Sequence, residues 1–344
     1  MSVSGNDGGS LLLVEEYFST SDDRLVDELR GAWSPQALAA LADRWKRDPR
    51  PWARRQIIAY LDLPLDRPGH HPLVKRLFKQ AEQDGDDEVM AAFLAAFDRL
   101  VRLRRRMRWR YDWDSRTSWQ EEELYAPRNS ILPQKHRRHI NPRTGGRVDV
   151  PVKVPRHGVL FSYHTRRYLR RRAWRYFRRL AYRRPNDYVA AICRALPLYR
   201  DADVARGEDI LECWGLVHAC FGRHPALKFG ASRIALRDGA SLDQLAAAPS
   251  FPEFWQKPDA ADHLFNLVCT AGSRLVRVWA TQLLGREHQA WLSNLPIDAL
   301  LRVLDHDDPE VQQFGAGLLD SLKGIESWPI ATWLRLLEIR NPTV

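Results

Sequence analysis

Asp112 and Asp114 stand in Tyr111-Asp-Trp-Asp114, and Glu121-Glu-Glu123 follows close by. With Asp149 they are the only acidic residues in a stretch otherwise dominated by arginine. Carboxylates in a cationic, aromatic setting could bind a metal or activate water, so Asp112 and Asp114 are the candidate catalytic groups. The plainer reading is that they pair with neighbouring arginines and fix a loop. No P-loop, no GxGxxG after a strand, no HExxH and no GxSxG occurs. Nothing in the chain specifies a cofactor. His70-His71 and His136 with His139 lie in polar loop text without a third ligand nearby. Cys213, Cys220 and His224, with His218 between, match no common zinc spacing, and no metal site is expected.

The arginines point to a partner more than to a reaction. Residues 99–184 hold 26 Lys and Arg against 6 Asp and Glu, a net of +20 in a chain of net +10, so the remainder is acidic at −10. A cationic block on an otherwise acidic protein is the footprint of a polyanion. From Thr165 to Tyr182 nothing breaks a helix. On a wheel Leu169, Ala173, Tyr176, Phe177 and Leu180 share one face, which packs on the core. Arg167, Arg171, Arg175 and Arg178 lie opposite, with Arg172 and Arg179 to one side and Trp174 to the other. Thr165 to Arg184 contains no acidic residue, so these arginines repel one another at i, i+4 spacing. Either acidic helices elsewhere absorb that cost, or an external anion does. Arginine favours bidentate phosphate contacts and stacking on bases.

Two flanking pieces extend the track. Arg104, Arg105, Arg106 and Arg108 lie in Arg102-Leu-Arg-Arg-Arg-Met-Arg-Trp-Arg110, read as the end of the preceding helix. Arg137 and Arg138 lie in a later loop. Trp109, Tyr111, Trp113 and Trp119 interleave with the charge, as stacking platforms for single strands do. The alternative is that these tryptophans anchor the segment to the rest of the fold. No signature of sequence-specific readout is present. A membrane-surface helix would need its apolar face free, and here the core requires it.

The elements that must position these groups are helical. Ser34-Pro35 opens a helix with Leu38, Leu41 and Trp45 on one face. Asp48-Pro-Arg-Pro51 is a turn, Trp52 to Leu61 a second helix, and Pro72 to Gln83 pairs with Asp86 to Leu103. The text Asp86-Asp-Glu-Val-Met-Ala-Ala-Phe-Leu-Ala-Ala-Phe-Asp98 returns as Asp307-Asp-Pro-Glu-Val-Gln-Gln-Phe-Gly-Ala-Gly-Leu-Leu-Asp320. Ser273 to Leu284 follows a related pattern and Asn186 to Leu196 a looser one. These turns leading into a second helix resemble HEAT-type repeats, most closely over 307–320 and less so over 86–98 and 273–284. The arginine-rich run is also similar to a segment of uncharacterised bacterial HEAT-like proteins, which carries no known activity.

The fold implied is all-α: a HEAT-like α-solenoid of antiparallel helix pairs, with an irregular helical bundle as the alternative. Its expected parts are a flexible tail at 1–10, helical repeats over 11–106, a basic, mostly non-helical insertion over 107–163, and the arginine helix with further repeats over 164–344. Within the insertion Asn141 to Gly146 is a turn. Val148, Val150, Val152 and Val154 alternate at strand period, and Pro151 and Pro155 restrict them to a small hairpin or edge strand. The last text, around Trp328, Trp333, Leu334, Leu336 and Leu337, reads as the first helix of a further repeat. It either caps the array or precedes a continuation beyond Val344.

The expected function is nucleic-acid binding through phosphates, DNA or RNA, with low sequence specificity. A protein scaffold gripping an acidic partner, or self-association of the basic block on the acidic arms, is the rival reading. A third is analogy with HEAT-like DNA glycosylases, which implies Trp109, Trp113 and Asp112 or Asp114 around an extruded base. Four cysteines without a CxxC pair, no basic n-region at the start and no long apolar run point to a reducing cytoplasm and no membrane partner.

Overall fold

A computed structural model describes residues 10–101, 104–125, 134–140, 145, 147–153, 158–204, 207–222, 224–230, 233–246, 249–322 and 328–339. These residues are mostly helical, with three two-stranded antiparallel sheets among them. The chain divides into two compact units, Met1–Ala173 and Trp174–Val344.

The first unit opens with α1 (Leu11–Thr20), α2 (Leu25–Gly31), α3 (Pro35–Arg47), α4 (Pro51–Asp62), α5 (His71–Asp84) and α6 (Asp87–Val101). Local chemistry sets their ends. The Ser34 hydroxyl accepts from the Ala37 amide, Pro35 occupies the first turn of α3, and Gly85 ends α5 at φ 67°. That left-handed geometry suits glycine and frees the chain to turn at once into α6. Asp86 then caps α6, accepting from the Val89 amide at 3.2 Å. Its other oxygen takes Lys46 Nζ and Arg54 Nη2, each at 2.8 Å. Helix α3 packs on α5, and α4 on α6. Their shared core includes Leu38, Leu41, Trp45, Phe78, Phe93 and Phe97.

The first correction to the sequence reading falls after α6. Arg104 to Arg110 does not end a helix. It belongs to β1 (Arg104–Asp112), which pairs with β2 (Thr117–Tyr125) in an antiparallel hairpin. Six arginines in Arg102 to Arg110 would stack like charges at i, i+4 on a helix. In the hairpin each of Arg106 and Arg108 stands opposite a glutamate of β2, and Arg106, Arg108 and Arg110 alternate with Met107, Trp109 and Tyr111 at strand period. A second hairpin joins β3 (Gln134–Ile140) to β4 (Arg147–Lys153). This matches the strand period of Val148, Val150 and Val152; Val154 and most of the turn at Asn141 to Gly146 lie outside the described residues. The chain returns to the helices where the Leu160 amide donates to the Leu65 carbonyl at 2.9 Å.

Helix α7 (Tyr163–Arg183) follows, and the division between the two units falls inside it. Leu169 and Ala173 are buried in the first unit, Tyr176, Phe177 and Leu180 in the second, as the wheel requires.

The second unit continues with α8 (Tyr188–Ala195), α9 (Trp214–Phe221), the short hairpin β5 (Leu227–Phe229) and β6 (Ile234–Leu236), and α10 (Pro252–Trp255). It ends with α11 (Asp259–Thr270), α12 (Arg274–Glu287), α13 (Gln289–Leu292), α14 (Ile297–Leu304), α15 (Pro309–Ser321) and α16 (Ile330–Glu338). Helix α11 packs on α12 and α14 on α15; across these pairs α11 meets α14 and α12 meets α15. Asp308 repeats the role of Asp86. It accepts from the Glu310 and Val311 amides at the start of α15 while its second oxygen binds Arg277 of α12. Two stretches matched in sequence therefore perform the same local job, each Asp standing three residues before its Val.

Candidate functional site

The β1–β2 hairpin has two unlike faces. Register places Arg106, Arg108 and Arg110 with Glu121, Glu123 and Trp119 on one of them. Arg106 donates to Glu123 at 2.9 and 3.1 Å, Arg108 reaches the same carboxylate at 3.2 Å, and Arg110 reaches Glu121 at 2.9 Å. The Arg106 hydrogen bond, with the charges of Arg106 and Arg108, holds the Glu123 carboxyl below the usual glutamate range. So Arg106, Arg108 and Arg110 of β1 have acids of the next strand as partners, three guanidinium groups on two carboxylates. Arg104 and Arg105 occupy β1 opposite Tyr125 and Leu124, and Arg137 and Arg138 occupy β3 opposite Val150 and Asp149; their side chains lie outside the described residues.

The other face carries Met107, Trp109 and Tyr111 at alternate positions, 60%, 66% and 49% exposed, and Trp113 follows in the turn at 83%. Rings this exposed do not anchor the hairpin to a core, so that alternative is set aside. Tyr111 and Trp113 meet edge to face at 4.9 Å. Asp112 is spent on the turn: its oxygens accept from the Asp114 amide at 3.1 Å and the Ser115 hydroxyl at 2.6 Å, and the Ser115 bond lowers its pKa. A half-buried, turn-capping carboxylate of depressed pKa is a poor general base, and Asp114 beside it is exposed.

Helix α7 sorts its arginines by position. Within the first unit Arg166 and Arg170 are each only 2% exposed. Arg166 lies over the Tyr163 ring and donates to the Leu100 carbonyl at 3.4 Å, and burial pushes its pKa down. These two inward cations were absent from the sequence-derived site; their signal was available, since both sit one residue before the outward Arg167 and Arg171. Arg167 and Arg171 are half-buried. Arg172 is taken by Glu82 of α5 at 2.5 Å and lies over Phe78, so that pair belongs to the fold.

Within the second unit Trp174 stacks on His218 of α9, centroids 3.8 Å apart and planes at 13°, and Arg178 lies over the Trp174 ring at 5.9 Å. Phe229 of β5 flanks the same imidazole at 5.1 Å. Arg175, Arg178 and Arg183 are exposed, and none has a carboxylate partner among the described residues. Spaced at i, i+3 and i+8, they share one side of α7 with Arg179 and the exposed Tyr182.

The histidine expectation needs correction at His70. Instead of lying in a polar loop, it is fully buried before α5. Tyr60 Oη lies 2.8 Å from Nδ1 and the Ala32 carbonyl 2.7 Å from Nε2. The carbonyl only accepts, so Nε2 carries the proton and Nδ1 accepts from Tyr60. Burial lowers the pKa of His70 to about 4. Cys193, Cys213 and Cys220 are buried thiols, and burial pushes Cys193 and Cys220 upward, away from the reactive thiolate. Among the described residues no group of three His, Cys, Asp or Glu could hold a metal ion, and no helix is long and apolar enough to cross a membrane.

Compared with known proteins, the chain is matched by no family model, no curated protein and no solved structure.

Proposed function

We propose that this chain is a HEAT-like helical-repeat protein that binds nucleic acid through its phosphates, with little base specificity. The observation that carries the reading is the set Arg175, Arg178 and Arg183: exposed, on one side of a helix, and facing no acid among the described residues. Like charges at this spacing cost a few tenths of a kcal/mol per pair on an isolated helix, and a polyanion repays that cost. The main contacts are Arg175 and Arg178, with Arg179 and Arg183 beside them; Arg167 and Arg171 are half-buried and belong to the first unit. Arg172, Arg106 and Arg108 leave the set because each is ion-paired, Arg172 with Glu82 and the other two with the one carboxylate of Glu123. The repeat reading is supported by the twin caps Asp86 and Asp308 and by the packing of like on like, α3 on α5 with α4 on α6, and α11 on α14 with α12 on α15. Buried, unbridged thiols fit a reducing compartment, and we propose a cytoplasmic location.

Fluorescence anisotropy with labelled DNA and RNA over a salt series tests this. The wild-type protein is expected to weaken steeply, with a log–log slope of about −4. Arg175→Glu with Arg178→Glu should flatten that slope by about two and lower affinity at low salt by tenfold or more. No binding at low salt, or an unchanged affinity in the double variant, overturns the reading.

A protein scaffold is the second reading, favoured by one feature. Helix α16 buries Leu336 but leaves Ile330, Leu334 and Leu337 exposed. The glycosylase analogy draws no support from Asp112, whose oxygens hold the hairpin turn.

A further inference from the structure

The hairpin supplies something the arginines do not. We infer that the face of β1–β2 bearing Trp109 and Tyr111 stacks unpaired bases, which makes single-stranded nucleic acid the ligand in preference to duplex. This deepens the phosphate-binding proposal and rests on it.

The two rings are neighbours on one face of a strand, about 6.7 Å apart along it. An extended strand with its bases splayed can lay successive bases on such rings, whereas paired bases inside a duplex present no free face. Opposite Trp109 and Tyr111 the register places Gln120 and Ser118, short or hydrogen-bonding groups that leave the rings uncovered and offer donors to base edges. Met107 extends the face at one end, and Trp113 extends it at the other. Trp119, grouped with these aromatics by sequence, is excluded: it pairs with Arg110 on the opposite face.

Area and charge select the occupant. Two nine-residue strands make a face about 30 Å by 10 Å, roughly 300 Å², far below the ~800 Å² per partner of a stable protein interface. A face of that size suits two or three bases. The sequence that holds the hairpin, residues 99–184, carries a net of +20, which favours a polyanion as ligand and disfavours a second copy presenting the same charge. The ion pairs of Arg106, Arg108 and Arg110 lie on the reverse face, so base stacking and phosphate binding fall to different residues.

That separation gives the test. Full-length wild-type protein and the Trp109→Ala/Tyr111→Ala variant are titrated against four labelled probes of equal length: oligothymidylate, oligouridylate, a duplex, and an abasic strand with the same number of phosphates. Circular dichroism checks the fold, and Trp109→Phe/Tyr111→Phe restores flat rings in case the alanines disturb the hairpin. Wild type should bind the base-bearing strands about a hundredfold more tightly than the abasic strand or the duplex. The alanine variant should lose roughly tenfold per ring on those strands only, with an unchanged salt slope, and the phenylalanine variant should recover most of it. Preference for one of the two base-bearing strands would assign DNA or RNA. Equal affinity for all four probes, or indifference to the alanines, overturns this inference and leaves phosphate binding standing. Failure to bind any probe removes both. A wild-type dimer that becomes monomeric in the alanine variant would assign the face to self-association and also overturn it.

Discussion

From Tyr163 to Ala173 helix α7 carries five arginines, and from Trp174 to Arg183 four. In the first half two are buried, Arg166 and Arg170, and Arg172 is held by Glu82. In the second half Arg175, Arg178 and Arg183 face solvent with no acid among the described residues. One continuous run of similar composition thus holds the fold at one end and presents charge at the other. What differs is the acid supplied by distant sequence. The β1–β2 hairpin repeats the lesson, since its arginines are as dense as those of α7 and Arg106, Arg108 and Arg110 pair with acids of the next strand. Counting arginines finds the region, and only the positions of the carboxylates find the free charge.

The largest effect expected from this division is in the unit whose charges are used internally, and protons reveal it. His70 is buried and neutral, with its pKa near 4 against 6.5 for an ordinary histidine. Its folded pKa is depressed, so between these values the unfolded chain binds the proton and the folded chain does not. Stability is therefore full above about pH 6.5 and declines as pH falls, by about 3 kcal/mol when pH 4 is reached. Denaturant titrations across this range should show the loss, and His70→Gln should flatten it. An equally steep decline in that variant would assign the acid sensitivity to other groups.

The next effect compares neighbours on α7. Arg172→Met takes a charged partner from the nearly buried Glu82 carboxylate and should cost about 1 kcal/mol of stability with little change in the salt slope of binding. Arg175→Met strands nothing; stability should hold, and the slope should fall by about one. If the two substitutions gave the same pair of readouts, the distinction between structural and presented arginines would be wrong.

Much of the helical frame was legible because its signals are local. Ser34-Pro35 and Asp308-Pro309 mark helix starts within a few residues, and the buried face of α7 follows from period alone. The candidate site was less legible because its decisive partners are remote. Arg172 meets Glu82 across 90 residues, and His70 meets Ala32 across 38. Strand β1 was misread for a local reason: its arginines mask an alternation with Met107, Trp109 and Tyr111 that is a strand signal once charge is ignored. The repeated text at Asp86 and Asp308 was recognised as pattern, but that each Asp both caps a helix and binds a cation from an earlier helix needs three dimensions.

The smallest effect sharpens the contrast between hairpin and helix. Glu123 holds two arginines at once, Arg106 and Arg108, on an exposed face. Exposed pairs contribute little to stability, so Glu123→Gln should leave the melting temperature nearly unchanged. It releases two guanidinium groups that share one carboxylate in the wild type, and it raises the local charge by one. If free charge rather than arginine content governs phosphate binding, this variant binds more tightly than wild type, with a salt slope steeper by one to two at neutral pH. Acid should mimic it only at low pH, because Arg106 and Arg108 keep the Glu123 carboxyl ionised below the range of an ordinary glutamate. A variant whose affinity and slope equal those of wild type would mean that the hairpin arginines never meet the ligand, and phosphate binding would then belong to α7 alone.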